Sequence, residues 1–240
     1  KLQIAGVGKT KQITRAMGMV ASAKLRGAQT RIERFRPYAN MFGSMLEDLA
    51  GRAKGSTHPL LQLHAQSASV LILLITSDRG LCGGFNANMI SAALNLAKEK
   101  ASAGLTVRFI CVGRKGRDAV RKTSYEILES YGDIMGSFDF RLAARLGAKV
   151  SQLYASGDCD EVHIVYGEFA GMSKQVPVCM GLLPVAPAVQ DSASTQSTTE
   201  CIYEPDASTL LTELLPRYVN VQIYRGLLDS SASENAARMA

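Results

Sequence analysis

No tryptophan occurs in this chain of 240 residues, and aromatic side chains make up only 6% of it. So few large rings fit thin helix–helix seams better than an aromatic-rich ligand pocket. Long apolar runs are missing too. The longest, Val70 to Ile75, falls far short of the ~20 residues a membrane-spanning helix requires. No signal peptide is visible, because Lys1 leads straight into a mixed polar segment. The five cysteines, Cys82, Cys111, Cys159, Cys179 and Cys201, are odd in number, scattered and without a C-x-x-C pair. That argues against a disulfide framework or a zinc site and points to a reducing compartment, with the thiols acting as small hydrophobes. His58, His64 and His163 lack metal-ligand spacing. No G-x-S-x-G or H-E-x-x-H occurs, so an enzyme reading has no catalytic residues to rest on. The missing initiator Met leads us to expect that the numbering begins inside a longer gene product.

What the chain does have is a lopsided charge. The net value is +6. Residues 1–36 carry Lys1, Lys9, Lys11, Arg15, Lys24, Arg26, Arg31, Arg34 and Arg36 against Glu33 alone. The rest of the chain is slightly acidic. The positive charge belongs to the first segment, and a basic segment of this kind seeks an acidic surface.

Both ends read as one side of a coiled coil. Ala21, Leu25, Ala28, Ile32, Phe35, Ala39, Phe42, Leu46 and Leu49 alternate by four and three. So do Ala207, Leu211, Leu214, Tyr218, Val221, Arg225, Leu228, Ala232, Asn235 and Met239. Sustained alternation of this kind keeps a seam facing a partner helix. Segments 1–57 and 206–240 are therefore expected to pair as an antiparallel shaft projecting from a compact domain, with the second helix continuing past Ala240. Pro37 and Pro216 predict bends, since a proline removes one helical hydrogen bond. Asp206 or Ser208 can cap the second helix.

Between the ends, residues 68–190 alternate strands with helices. Strands are expected at Val70–Ile75, Thr106–Val112, Tyr125–Leu128, Glu161–Phe169 and Gln175–Met180. Helices are expected at Asn86–Ala101, Lys115–Lys122 and Phe138–Ala155. This order implies βαβ units and a Rossmann-like domain with a mainly parallel sheet. Pro184, Pro187 and Asp191–Glu200 are read as a loop or hairpin tip.

Three features compete for a functional reading. Gly6-Val7-Gly8-Lys9-Thr10 resembles a phosphate loop, but the required first glycine is Gln3 and no strand precedes it. The basic first helix could meet nucleic acid, yet it lacks interleaved aromatics and its stripe is committed to a partner helix. The segment Thr76 to Asn86 follows a buried strand and opens a helix, where α/β folds bind ligands. The residues leave it open between a ligand cradle using Asp78 and Arg79 and a tight glycine turn in which these two pair locally.

The segment Ile13 to Arg26, Arg36-Pro37-Tyr38, the loop Ser77 to Asn86, Tyr203-Glu204-Pro205-Asp206 and Ala232 to Met239 together resemble the γ subunit of F-type ATP synthases. The resemblance runs over the whole chain, in order. Relatives begin a little earlier and end several dozen residues later, and many continue an unbroken helix where Pro216 stands. It implies a non-catalytic central-stalk rotor. The paired helices would turn inside a ring of α and β subunits, coupling proton flow through the c-ring to ATP synthesis on β. The α/β foot would hold the ε subunit (δ in mitochondria). The resemblance further implies β contacts at Arg15, Met17, Lys24, Arg26, Glu234 and Arg238, and a structural or subunit-contacting turn of Asp78, Arg79, Gly80, Gly83, Gly84 and Asn86. Tyr203 and Glu204 would lie near the c-ring. Neither cofactor, metal nor nucleic acid is implied, and contact with the membrane would be indirect, through the c-ring. The lack of a chloroplast-type insertion leans towards the cytoplasmic face of a bacterial plasma membrane; the alternatives are the mitochondrial matrix and the chloroplast stromal face.

Overall fold

The structure, a computed structural model, describes residues 2–52, 58–64, 68–185 and 206–239. Helix α1 (Leu2–Arg52) opens the chain. The foot follows as β1 (Ser69–Ile75), α2 (Phe85–Ser102), β2 (Thr106–Val112), α3 (Arg114–Val120), β3 (Glu126–Tyr131), α4 (Phe140–Ala155), β4 (Glu161–Gly171) and β5 (Lys174–Leu183). Helix α5 (Ala207–Met239) closes it. The expected elements are all present, with ends shifted by a few residues. Helix α4 starts later than expected because Asp139 caps it, accepting from the N–H of Arg141 at 3.0 Å. Asp206 caps α5, accepting from the N–H groups of Ser208 and Thr209 at 3.0 and 3.1 Å. Both long helices run unbroken through their prolines, Pro37 and Pro216. The segment 186–205, which includes Pro187, Asp191–Glu200, Tyr203 and Glu204, lies outside the described residues.

The five strands form one sheet in the order β3-β2-β1-β4-β5. The first four are parallel neighbours and β5 is antiparallel to β4. Strand β1 is central and buried on both faces, which is why its sequence is a continuous apolar run and not an alternation. Leu71, Leu73 and Ile75 face α4 and α5, while Val70, Ile72 and Leu74 face α2 and α3. Pro177 is tolerated because β5 lies at the sheet edge.

The shaft seam is as the periodicity predicts. Ala21, Leu25, Ala28, Ile32, Ala39, Phe42, Leu46 and Leu49 of α1 are buried. Phe35 meets Tyr224 edge-on at 5.0 Å between ring centroids, and Phe42 stacks on Tyr218 at 6.4 Å. Contacts that run up one helix and down the other make the pair antiparallel. Truncating a fully buried seam leucine to Ala removes about 2–5 kcal/mol of stability.

One expectation needs correction. Helix α5 does not project from the domain. It lies between α1 and the foot, and a second row of its residues, Leu211, Leu215, Val219, Ile223 and Leu227, joins the core beneath β1 and β4. Gly147 of α4 lets this happen: a Cβ there would sit 1.9 Å from Asn220 Oδ1. Gly226 does the same against Ile164 of β4, where a Cβ would sit 3.0 Å from Ile164 Cδ1. Helix α1 packs chiefly on α5, so it reaches the foot mainly through that helix.

A short strap joins shaft to foot. Residues Pro59–Leu61 make one 3-10 turn. Leu60 C=O accepts from Val185 N–H at 2.9 Å. Gln62 C=O accepts from the Tyr154 hydroxyl at 2.5 Å. His64 stacks on Tyr154 and meets Asp160 Oδ1 at 2.8 Å.

Candidate functional site: a filled crevice and a basic shaft

In a doubly wound sheet, ligands bind outside the carboxyl ends of the strands where strand order reverses. Here that point lies between β1 and β4, and the turn 76–86 sits over it. The turn's polar groups are matched within the protein. Asn86 Oδ1 accepts from Ser77 N–H at 3.0 Å, and Asn86 Nδ2 donates to Ser77 Oγ at 2.8 Å and to Arg79 C=O at 3.2 Å. Thr76 Oγ1 accepts from Gly116 N–H at 2.8 Å and donates to Val112 C=O at 3.2 Å. Gly83 takes φ of 51°, a left-handed conformation that glycine adopts without penalty.

Asp78 does not pair with Arg79. Its Oδ1 accepts from the N–H groups of Arg114 and Asp133 at 3.2 and 2.8 Å, and its Oδ2 from Met135 N–H at 3.2 Å. It therefore fastens the ends of β2 and β3 to the end of β1. A carboxylate so occupied acts as a brace between strand ends.

The crevice itself is occupied by Ala237 and Arg238 of α5. Arg238 Nη1 donates to Gly80 C=O at 2.8 Å, and Arg238 Nη2 reaches Glu234 Oε1 at 2.6 Å. Both side chains are about nine-tenths buried, at 10% and 11% exposure. Burial pushes the Glu234 carboxyl up, Arg238 draws it back, and Asp78 adds to the rise. Lower down, Ser230 Oγ accepts from Gly167 N–H at 3.1 Å and Ser233 Oγ donates to Gly167 C=O at 3.0 Å. Ser230 and Ser233, which break the apolar pattern of α5, are thus fastenings to β4.

The sequence-predicted shaft residues are differently placed. Arg15, Lys24 and Arg26 are exposed, and Met17 is half-buried. Met17 and Lys24 line a cleft of about 670 Å³ between α1, the turn and the loop around Met135. Arg79, Glu234 and Arg238 line its other wall. Gly80 and Asn86 are half-buried within the turn, and Gly83 and Gly84 are exposed. Tyr203 and Glu204 lie outside the described residues. Sequence reasoning missed Asp78 as a brace, and it missed Arg36, Phe169 and Asp229, whose contacts span the chain.

Burial pushes the Cys111 and Cys159 thiols up to about 12. Among the described residues, no group of His, Cys, Asp and Glu could hold a metal ion, and no helix is long and apolar enough to cross a membrane.

A two-helix shaft seated on a doubly wound foot, whose ligand crevice is occupied by residues of α5, defines a stalk-like class of protein. Comparison with known proteins gives the same class. A family model described as ATP synthase matches residues 1–240. The ATP synthase gamma chain of Nitratidesulfovibrio vulgaris is 60% identical over 240 residues, covering 100% of this chain and 82% of that protein. That of Maridesulfovibrio salexigens is 56% identical over 239 residues, covering 99% and 82%. Among solved structures, the central stalk and c-ring of Tetrahymena thermophila mitochondrial ATP synthase aligns with a TM-score of 0.70 at 29% identity, covering 95% of this chain and 96% of that one. The rotor of Euglena gracilis mitochondrial ATP synthase aligns with a TM-score of 0.52 at 18% identity, covering 93% and 88%, and shares the fold. The chain belongs to the ATP synthase γ-chain family.

Proposed function

We propose that this chain is the central-stalk rotor of a proton-translocating F-type ATP synthase. It couples turning of the c-ring to conformational changes at nucleotide sites on the β subunits and carries no catalytic residue itself. The observation that carries this reading is the match to ATP synthase gamma chains over the whole of this chain. The filled crevice supports the non-catalytic part, because the place where an α/β fold would take a nucleotide holds Arg238 and Ala237 instead.

The partners are the α and β subunits around the shaft, ε at the foot (δ in mitochondria) and the c-ring below. Arg15, Met17, Lys24 and Arg26 form the surface that meets β. Exposed ion pairs are individually weak, on the order of 0–1 kcal/mol, which suits contacts that break and reform at each step. Glu234 and Arg238 support this surface from behind, through the turn Asp78–Asn86. Tyr203 and Glu204 serve the c-ring contact. The complex sits at the cytoplasmic face of the bacterial plasma membrane, with membrane contact indirect through the c-ring.

Co-expression with cognate α and β subunits tests the reading. It requires a stable complex with one copy of this chain per ring, whose ATP hydrolysis depends on the chain. A chain that joins no such ring, or that hydrolyses ATP alone, refutes it.

A further inference from the structure

The seam between α1 and α5 alternates large side chains such as Leu25, Ile32 and Leu228 with small ones. Ala21, Ala28 and Ala39 on one helix, and Ala232 and Ala236 on the other, are buried small side chains. Where the knobs are small they set register weakly, and a second fastening there hinders one helix from sliding along the other.

That fastening is visible at Arg36. Its Nη2 lies 3.4 Å from Asp229 Oδ1 of α5 and donates to Phe169 C=O of β4 at 3.0 Å. One guanidinium thus joins α1, α5 and the foot. Asp229 has only 2% of its side chain exposed, and Arg225 Nε approaches its other oxygen at 3.8 Å. A slip of α1 would remove Arg36 and leave a buried carboxylate held by the Phe169 backbone and the longer Arg225 contact alone, and stripping a partner from a buried charge is strongly penalised.

We infer that Arg36 and Asp229 are the register lock of the shaft, a positioning pair that makes α1, α5 and the foot turn as one body. The inference rests on the rotor reading for its consequence, but the lock itself is a property of this chain alone. Torque entering at the foot reaches α5 through β4 and α4, and reaches α1 mainly through α5. Arg36 is the shortcut. It carries load from the end of β4 to α1 without relying on side-chain packing in the seam. Fixing register is the best-attested use of buried charge pairs.

The test uses spin labels at exposed Ser22 and Glu213 in the full-length chain with Cys179 and Cys201 replaced by Ser. Their separation is read by pulsed electron resonance. A single narrow distance is expected for the parent. Arg36→Met with Asp229→Leu keeps the packing volume and removes the lock. A second population displaced by about 10 Å, one heptad at helical rise, is expected. In the reconstituted complex the same pair lowers protons moved per ATP by about twofold or more, with little change in unfolding temperature. Arg36→Lys keeps charge but, with a shorter side chain, gives up the reach to Phe169 C=O, and lowers coupling without the second distance. A single narrow distance with unchanged proton yield in the double variant overturns the lock. Should that variant fail to fold, unchanged coupling in Arg36→Lys overturns it. Failure of the parent to assemble with α and β rejects the rotor reading instead, and the distance measurement still decides the lock.

Discussion

Arg238, at the end of the last helix, donates to the carbonyl oxygen of Gly80 at 2.8 Å and so closes the crevice over the sheet. Replacing it with Ala leaves that carbonyl unmatched and Glu234 buried without its cation. We expect Arg238→Ala to lower stability by roughly 3 kcal/mol, and Arg238→Lys to recover only part, because one ammonium cannot serve both partners as a guanidinium does. Urea unfolding of the three proteins measures this. Equal stability of Ala and parent contradicts it.

Two glycines give opposite outcomes. Gly113 has φ of 94°, and a Cβ there would lie 2.2 Å from Thr76 C=O. Gly113→Ala should lower stability by about 3 kcal/mol or more, since strain and collision add. Gly18, by contrast, meets nothing within 4 Å in this chain. Gly18→Ala should raise the stability of the isolated chain by up to about 1 kcal/mol. If it also impairs assembly with α and β, a partner backbone approaches α1 there. Thermal unfolding, with and without the ring, separates the two effects.

Asp160 makes stability depend on acid. Burial disfavours its charge, but Ala68 N–H, His64 and the N–H and hydroxyl of Ser69 outweigh it and hold the pKa at about 2. A depressed carboxylate contributes fully above its ordinary value near 3.8, and the contribution is lost as pH falls from there through about 2. Asp160→Asn should cost roughly 2 kcal/mol at neutral pH and flatten the acid limb of the stability profile below about pH 4. An unchanged acid limb in the variant contradicts the assignment.

Neutralising the shaft surface should leave the fold alone. Arg15→Gln, Lys24→Gln and Arg26→Gln together remove three exposed charges, and surface changes of this kind stay within about 0.5 kcal/mol each. Association with α and β should weaken, and its dependence on salt should flatten. Unchanged affinity and salt slope would place the β contact elsewhere on the shaft.

The shaft seam was legible because a 3.5-residue repeat has one structural meaning. Eight of the nine α1 stripe positions are buried, and the ninth, Phe35, packs edge-on against Tyr224. Strand β1 was legible for a similar reason, since an apolar run bounded by turn residues admits few alternatives. The burial of α5 on two sides was harder to see. The row Leu211, Leu215, Val219, Ile223, Leu227 is spaced by four and stands beside the heptad stripe, but Gln222, Asp229, Ser230 and Ser233 interrupt it with polar groups that are buried all the same. The partners of Asp229, Ser230 and Ser233 include groups on α1 and β4, far off in sequence. Periodicity reports which face is apolar; it is silent on which buried polar group finds a distant partner. The same blindness hid Asp78, whose ligands are backbone N–H groups of residues 114, 133 and 135.

Rotation is the central claim, and Cys179 offers a handle for it. It is an exposed thiol on the foot, and Cys82, Cys111 and Cys159 are buried. With Cys201 replaced by Ser and the α–β ring fixed to a surface, a bead on Cys179 reports the motion of the foot during ATP hydrolysis. Stepwise rotation in one direction, stopping when ATP is withdrawn, is the predicted result. A ring that hydrolyses ATP while the foot stays still would contradict the account.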